Sequence, residues 1–387
     1  MRVRLGSERL LESNALDGRC VGVVCNPASV DHQLHHIADR VGAHPRARLA
    51  ALFGPQHGFR SDVQDNMIET RHGHDEIRRV PVYSLYSETR EPTADMLRGL
   101  DVLVVDLQDV GVRIYTYIYT MAKCLKAAKR HGVKVIVCDR PNPIGGVAVE
   151  GMVLKPGHES FVGMYPIPMR HGMTIGELAR LFNEHFGIGA HLEVIAMEGW
   201  RRDMYFADTD LTWIMSSPNI PTFETTLVYP GAVLFEGTNV SEGRGTTRPF
   251  EFIGAPWIVA ERFADAMNRL DVPGVFFRPV VFEPTFHKHA RQPCAGCQIH
   301  VLDREQFRPV ASAVALMSAF RANDPNQFNW RDPPYEYEHD RLPIDVLAGS
   351  PELREQIEAG VPAEEIARSW ESDVAAFKRV RQKFLLY

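Results

Sequence analysis

Between Val228 and Trp257 the run VYPGAVLFEGTNVSEGRGTTRPFEFIGAPW gathers three carboxylates and two guanidinium groups among turn-forming residues. Glu236, Glu242 and Glu251 are of the type that serves as acid, base or nucleophile. Arg244 and Arg248 offer flat, permanently charged forks suited to an anionic group. The apolar run ahead of them reads as a strand that would empty into a polar loop, where Gly237, Gly243 and Gly245 let the backbone turn tightly or approach a ligand. The same composition also suits a solvated turn.

A second set of polar residues lies earlier in the chain. FGPQHGFRSDVQDNMIET, 53–70, carries Gln56, His57, Asp65 and Glu69. His57 is a candidate to polarise a group or relay a proton, and Asp65 or Glu69 a candidate acid if burial raises its pKa. VLVVDLQDVGVRIYTY offers Asp106 and Asp109, then Arg113 and the tyrosines 115, 117 and 119. Tyrosine rings pack on a sugar face while their hydroxyls hydrogen-bond. The plainer alternatives are a helix cap at Asp106 and an Asp109–Arg113 pair. Asn142 in DRPNP and Asn219 in SSPNIPT sit on proline-fixed turns, as partners for an acetamido group or vicinal hydroxyls, or as Asx-turns that serve only themselves.

These residues need elements to hold them. Segments 20–27, 47–55, 81–86, 100–110 and 133–143 are rich in β-branched residues and end in polar or turn residues. Amphipathic stretches alternate with them, so an α/β unit with a largely parallel sheet is expected. TYIYTMAKCLKAAKRHG has helical periodicity and a Lys-Arg-His-Gly stop, and 173–187 opens with Thr174 and Glu177 in capping-box spacing. In such sheets ligands bind beyond the carboxyl ends of the strands, which selects the tails just named. Beyond about residue 225 the grammar changes to a smaller α+β part. It has helices near 258–270 and 308–322, strands around FRPVVFEP and GCQIHVLD, a structured loop over 328–345 and a helical tail over 362–385. Two domains, 1–225 and 226–387, are therefore expected for a chain of 387 residues.

Composition narrows the classes. With 45% hydrophobic and 24% charged residues the chain is an ordinary globular protein, and a net charge of −6 without a Lys/Arg cluster argues against nucleic acid as a partner. No apolar run reaches the roughly 20 residues of a membrane span. The six cysteines sit mostly in apolar segments, and with a charged N-terminus a cytoplasmic location is expected. Cys294 and Cys297 form a lone CxxC, so no metal is expected. GxGxxG, GxxxxGK[ST] and GxSxG do not occur, which counts against dinucleotide, P-loop and α/β-hydrolase chemistry.

Taken together, FGPQHGF, PVYSLY with TREPT, DVLVVDLQDVGVRIYTY, DRPNPIGG, SFVGMYPIP with RHGMTIGEL, SSPNIPT and LFEGTNVSEGRGTTRPFE with GAPW resemble the NamZ-type exo-β-N-acetylmuramidases over nearly the whole chain. The resemblance implies a Rossmann-like N-terminal domain and an auxiliary C-terminal domain with the active site between them. It also implies release of N-acetylmuramic acid from the non-reducing end of peptidoglycan fragments in cell-wall recycling, without a cofactor. Many members read PEHG where this chain has Pro55, Gln56, His57 and Gly58, and Gln56 cannot donate a catalytic proton. Glu242 and Asp109 are then the leading carboxylates, with Asp65 in reserve and His57 and Gln56 positioning water or substrate. Arg244, Arg248 or Arg113 would meet the lactyl carboxylate. Tyr115, Asn142, Asn219 and Glu236 complete the expected sugar contacts. A non-catalytic binder of muropeptides or other anionic saccharides is the alternative that Gln56 suggests.

Overall fold

The computed structural model describes residues 2–387. Its strands are β1 Cys20–Val24, β2 Arg48–Gly54, β3 Gly73–Asp75, β4 Val80–Ser84, β5 Val102–Val105, β6 Lys134–Cys138, β7 Glu150–Val153, β8 Pro168–Arg170, β9 Leu192–Ile195, β10 Phe252–Ala255, β11 Val275–Phe282 and β12 Cys294–Val301. Its helices are α1 Gly6–Glu12, α2 Ile37–Gly42, α3 Ala94–Leu97, α4 Tyr117–His131, α5 Ile175–Arg180, α6 Phe223–Ala232, α7 Ala260–Asn268, α8 Pro309–Asn323, α9 Pro343–Ala348, α10 Glu352–Glu358, α11 Ala363–Ser369 and α12 Glu371–Arg381.

Seven strands form one sheet in the order β3-β4-β2-β1-β5-β6-β9. All neighbours in it run parallel except the edge pair β3 and β4. Leaving that edge strand aside, the order is that of a doubly wound Rossmann sheet, reversing between β1 and β5. The central strands are continuous apolar runs because both faces are covered: Val21, Val23, Val24 and Val102–Val105 are all buried. α4 ends as its sequence predicts, with Gly132 at φ 69° behind Lys129, Arg130 and His131. At α5 the Thr174 hydroxyl accepts from the Glu177 amide while the Glu177 carboxylate accepts from the Thr174 amide, a complete capping box.

The smaller sheet is antiparallel, β10-β12-β11. Its surroundings differ from the sequence expectation in three places. The run before Glu236 is not a strand: α6, capped by Thr222, continues into a 3-10 turn at Val233–Gly237. An apolar run of this length, buried nearly all round, has no period that separates strand from helix. The expected tail helix is two helices, α11 and α12, broken at Trp370. The loop after residue 328 ends where α9 begins at Pro343. α6 packs on α8 at Gly231, where an added Cβ would lie 1.9 Å from the Pro309 carbonyl oxygen.

Candidate active site

The polar strand tails meet the segment around Glu236 in one recessed cavity. After β2 the chain delivers Gln56 and His57; after β5 it delivers Tyr115 and Thr116 at the start of α4; Glu236, Arg244, Tyr335 and Glu336 come from the second half. This is the carboxyl end of the parallel sheet, beside the point where strand order reverses.

Glu236, at the end of the 3-10 turn behind α6, is a buried carboxylate with three donors. Arg244 reaches Oε1 at 2.6 Å, while the Tyr335 hydroxyl and the Asn66 amide reach Oε2 at 2.7 and 3.2 Å. The Arg244 guanidinium lies 5.0 Å over the Phe250 ring. Burial works against its charge, but Glu236 and Glu242 hold its pKa above the ordinary arginine value. Its Nη1 is buried without a protein partner.

Glu336 occupies a different environment in the same cavity. It is 3% exposed, accepts from Gln56 Nε2 at 3.0 Å and from the Tyr86 hydroxyl at 2.9 Å, and has no cationic partner. Burial, helped by the nearby Glu236, pushes its carboxyl up to about 7 against the pull of those two hydrogen bonds. Gln56 is itself held at both ends of its amide: the Thr116 hydroxyl donates to its Oε1 at 2.7 Å, and its Nε2 faces Glu336. Glu336 and Tyr337, at φ 46° and 70°, form a two-residue turn closed by reciprocal backbone hydrogen bonds between Tyr335 and Glu338. Left-handed backbone at two consecutive non-glycine residues costs about 1–3 kcal/mol each, and such strain collects at functional sites.

His57, also left-handed at φ 70°, places Nδ1 2.8 Å from the Val63 carbonyl oxygen. That oxygen only accepts, so Nδ1 carries the proton and Nε2 remains an acceptor. Desolvation lowers the imidazole to about 4, which keeps it neutral at physiological pH. Tyr115 and Asn219 line the same cavity, the first donating to Ser216 Oγ at 2.8 Å and the second to the Gln64 carbonyl at 2.8 Å.

Seven other residues singled out in the sequence lie elsewhere. Glu242 is wholly buried behind Arg244. Burial would raise its carboxyl, but Lys288 at 2.6 Å, His287 and Arg244 hold it down at about 2, the setting of a carboxylate anion rather than of a proton donor. Asp109 accepts from the Gly111 amide at 2.8 Å and stands 3.3 Å from His171, beneath the cavity lining rather than in it. Arg113, 0% exposed, donates to the carbonyls of Leu347 and Ala348 at the end of α9, a helix-terminal role rather than a ligand-facing one. Asn142 makes the Asx-turn, accepting from the Ile144 amide and donating to the Met173 carbonyl. Arg248 is exposed, paired with Glu251 at 3.5 Å, and Asp65 stands next to Asn66 but outside the lining. Asp106 is neither cap nor catalyst, being held bidentate by Arg140 at 2.6 and 2.9 Å.

Asn66, Thr116, Tyr335 and Glu336 are the cavity residues that sequence reasoning passed over. Two consecutive acid-bearing tyrosine steps, YEYE at 335–338, were the available signal.

The sequence matches the N-terminal part of exo-β-N-acetylmuramidase NamZ over residues 21–224 and the C-terminal part over residues 227–387. A peptidoglycan β-N-acetylmuramidase NamZ of Bacillus subtilis is 45% identical, the alignment covering all of this chain and 92% of that protein. Crystal structures of two DUF1343 family proteins from Bacteroides fragilis are similar over 100% of this chain and 99% of each of theirs. One has a TM-score of 0.90 at 37% identity, the other 0.76 at 27% identity. This chain belongs to the NamZ exo-β-N-acetylmuramidase family.

Proposed function

We propose that this protein is a glycosidase that releases N-acetylmuramic acid from the non-reducing end of peptidoglycan fragments, as part of cell-wall recycling. The observation that carries it is one cavity lined by two buried glutamates in unlike surroundings, Glu236 paired with Arg244 and Glu336 without a cation. Glycoside cleavage uses such a pair, one carboxyl group to protonate the leaving oxygen and one carboxylate as base or nucleophile. The name of the Bacillus subtilis relative supports the substrate class. The proposal divides the chain at residues 225 and 226, with the cavity between the two parts.

N-acetylmuramic acid differs from N-acetylglucosamine by a lactyl carboxylate, and Arg244 keeps Nη1 free of protein partners beside the cavity. That nitrogen is the receptor for the lactyl group. His57 Nε2 and the Asn219 side chain serve sugar hydroxyl and acetamido groups. Replacing Arg244 by Ala should lower kcat/KM on a chromogenic N-acetylmuramide by roughly 10²-fold or more, with a much smaller loss on any glucosaminide turnover. Equal losses on both would remove Arg244 from lactyl recognition. Gln56 favours a second reading, a non-catalytic binder of muropeptides; chromophore release by the wild-type protein would exclude it, and a thermal shift without release would favour it.

A further inference from the structure

We propose that Glu336 is the proton donor to the glycosidic oxygen, standing where the cavity for the terminal sugar opens into a groove for the rest of the saccharide. The inference rests on the glycosidase reading above and assigns its acid. Among the described residues, Glu336 is the single residue that lines both the recessed cavity and a second, more open groove bounded by Arg90, Lys123, Phe161 and Tyr337. An enzyme that removes a terminal sugar breaks the bond at the boundary between two such subsites, and the acid has to reach the oxygen that bridges them. The groove carries cations and aromatic rings together, with the Arg90 guanidinium 3.6 Å over the Tyr337 ring and the Lys123 ammonium 5.8 Å over Phe161, amphipathic groups of the kind that line saccharide grooves.

The surroundings of Glu336 fit the task. Its two donors, Gln56 and Tyr86, are neutral and aim the carboxyl without fixing a charge on it, and the strained turn at Glu336 and Tyr337 holds the backbone behind it. A carboxyl group near pKa 7 is largely protonated in mildly acidic solution and still a competent acid. The amide at position 56 also acquires a reason. A second carboxylate there would face Glu336 across one hydrogen bond, whereas Gln56 donates to it. In the reaction the Glu336 proton passes to the bridging oxygen as the C1–O bond breaks. The bonding electron pair goes to that oxygen, and the shortened saccharide leaves as a neutral alcohol. Water supplies the hydroxyl that ends on C1 and the proton that restores the acid; Glu236 is left for the role of base or nucleophile.

The test compares two leaving groups in wild type and Glu336→Gln: the disaccharide N-acetylmuramyl-β-1,4-N-acetylglucosamine and 4-nitrophenyl N-acetyl-β-muramide. The nitrophenolate departs without a proton; the sugar alkoxide does not. The expected result is a loss of about 10²–10⁴-fold in kcat/KM on the disaccharide and under about tenfold on the aryl glycoside. In the wild type, disaccharide kcat/KM should fall as pH rises through about 7, and the variant should lose that limb. Near-wild-type disaccharide turnover, or equal losses on both substrates, would overturn the assignment while leaving the glycosidase reading intact. Wild-type turnover of neither substrate would overturn both. If the variant does not fold, the wild-type pH profiles decide alone: a limb near 7 on the disaccharide and none on the aryl glycoside is expected, and the same limb on both contradicts the proposal.

Discussion

Single residues in this protein acquire their chemistry from which neighbours are charged. Glu236, Glu242 and Glu336 are all buried glutamates, yet they differ in what they can do. Glu242 faces Lys288, His287 and Arg244 and is locked as an anion. Glu336 meets only neutral donors and holds its proton to about 7. Sequence favoured Glu242 because it sits in the most polar segment, and spacing along the chain says nothing of a lysine 46 residues away folding against it. Gln56 and His57 were legible because they follow a strand whose tail the parallel-sheet rule selects, and Glu236 and Arg244 because their own segment concentrates carboxylates and guanidinium groups among turn formers. Glu242 should therefore behave as a positioning residue for Arg244. Replacing it by Gln leaves the half-buried Lys288 with only the Phe235 and Val240 carbonyls and no carboxylate, so a loss of up to about 3–5 kcal/mol in stability is expected, seen as a lower thermal midpoint. The fall of disaccharide kcat/KM near pH 7 should persist in the folded variant. Loss of that limb with an unchanged midpoint would return Glu242 to the proton-transfer role.

At the scale of elements, the parallel strands were legible from apolar runs that end in polar tails, α4 from its period and its Lys-Arg-His-Gly stop, and α5 from its capping box. The segment before Glu236 was not. LVYPGAVLF is apolar throughout, so its period is silent, and the helix shows only in the Thr222 cap ahead of it and in its packing on α8. The turn at Tyr335–Glu338 was opaque for another reason: its two central residues are Glu and Tyr where glycine or asparagine usually marks such a turn. Their backbone cost is borne by the surrounding contacts, including the Tyr335 hydroxyl on Glu236 and Tyr337 beneath Arg90. Because α6 carries the 3-10 turn that holds Glu236, its seat on α8 sets one side of the site. Gly231→Ala puts a methyl group into the Pro309 carbonyl, and overpacking of this kind costs about 1–3 kcal/mol or more. The expected outcome is a lower thermal midpoint with reduced kcat on the disaccharide. An unchanged midpoint would show that the two helices can separate freely at that contact.

For the whole molecule, the strand order reverses between β1 and β5, and the segments after β2 and β5 carry their polar residues to one end of the sheet. The second half of the chain then closes that end with Glu236, Arg244 and the Tyr335–Glu336 turn. Arg113, which the sequence suggested as a ligand contact, instead ties the tail of β5 to the end of α9, and Tyr387 Oη donates to Asp139 beyond β6. Such long-range ties are invisible to local pattern, although the α/β class was not. The central claim is that this cavity hydrolyses a muramyl glycoside. Its most direct test follows release of N-acetylmuramic acid from N-acetylmuramyl-β-1,4-N-acetylglucosamine by mass spectrometry, for the wild type and for Glu236→Gln. The expected result is equimolar release of the two sugars by the wild type and a loss of roughly 10³-fold or more in the variant, with its fold retained by circular dichroism. No release by the wild type, or undiminished release by the variant, would contradict the account.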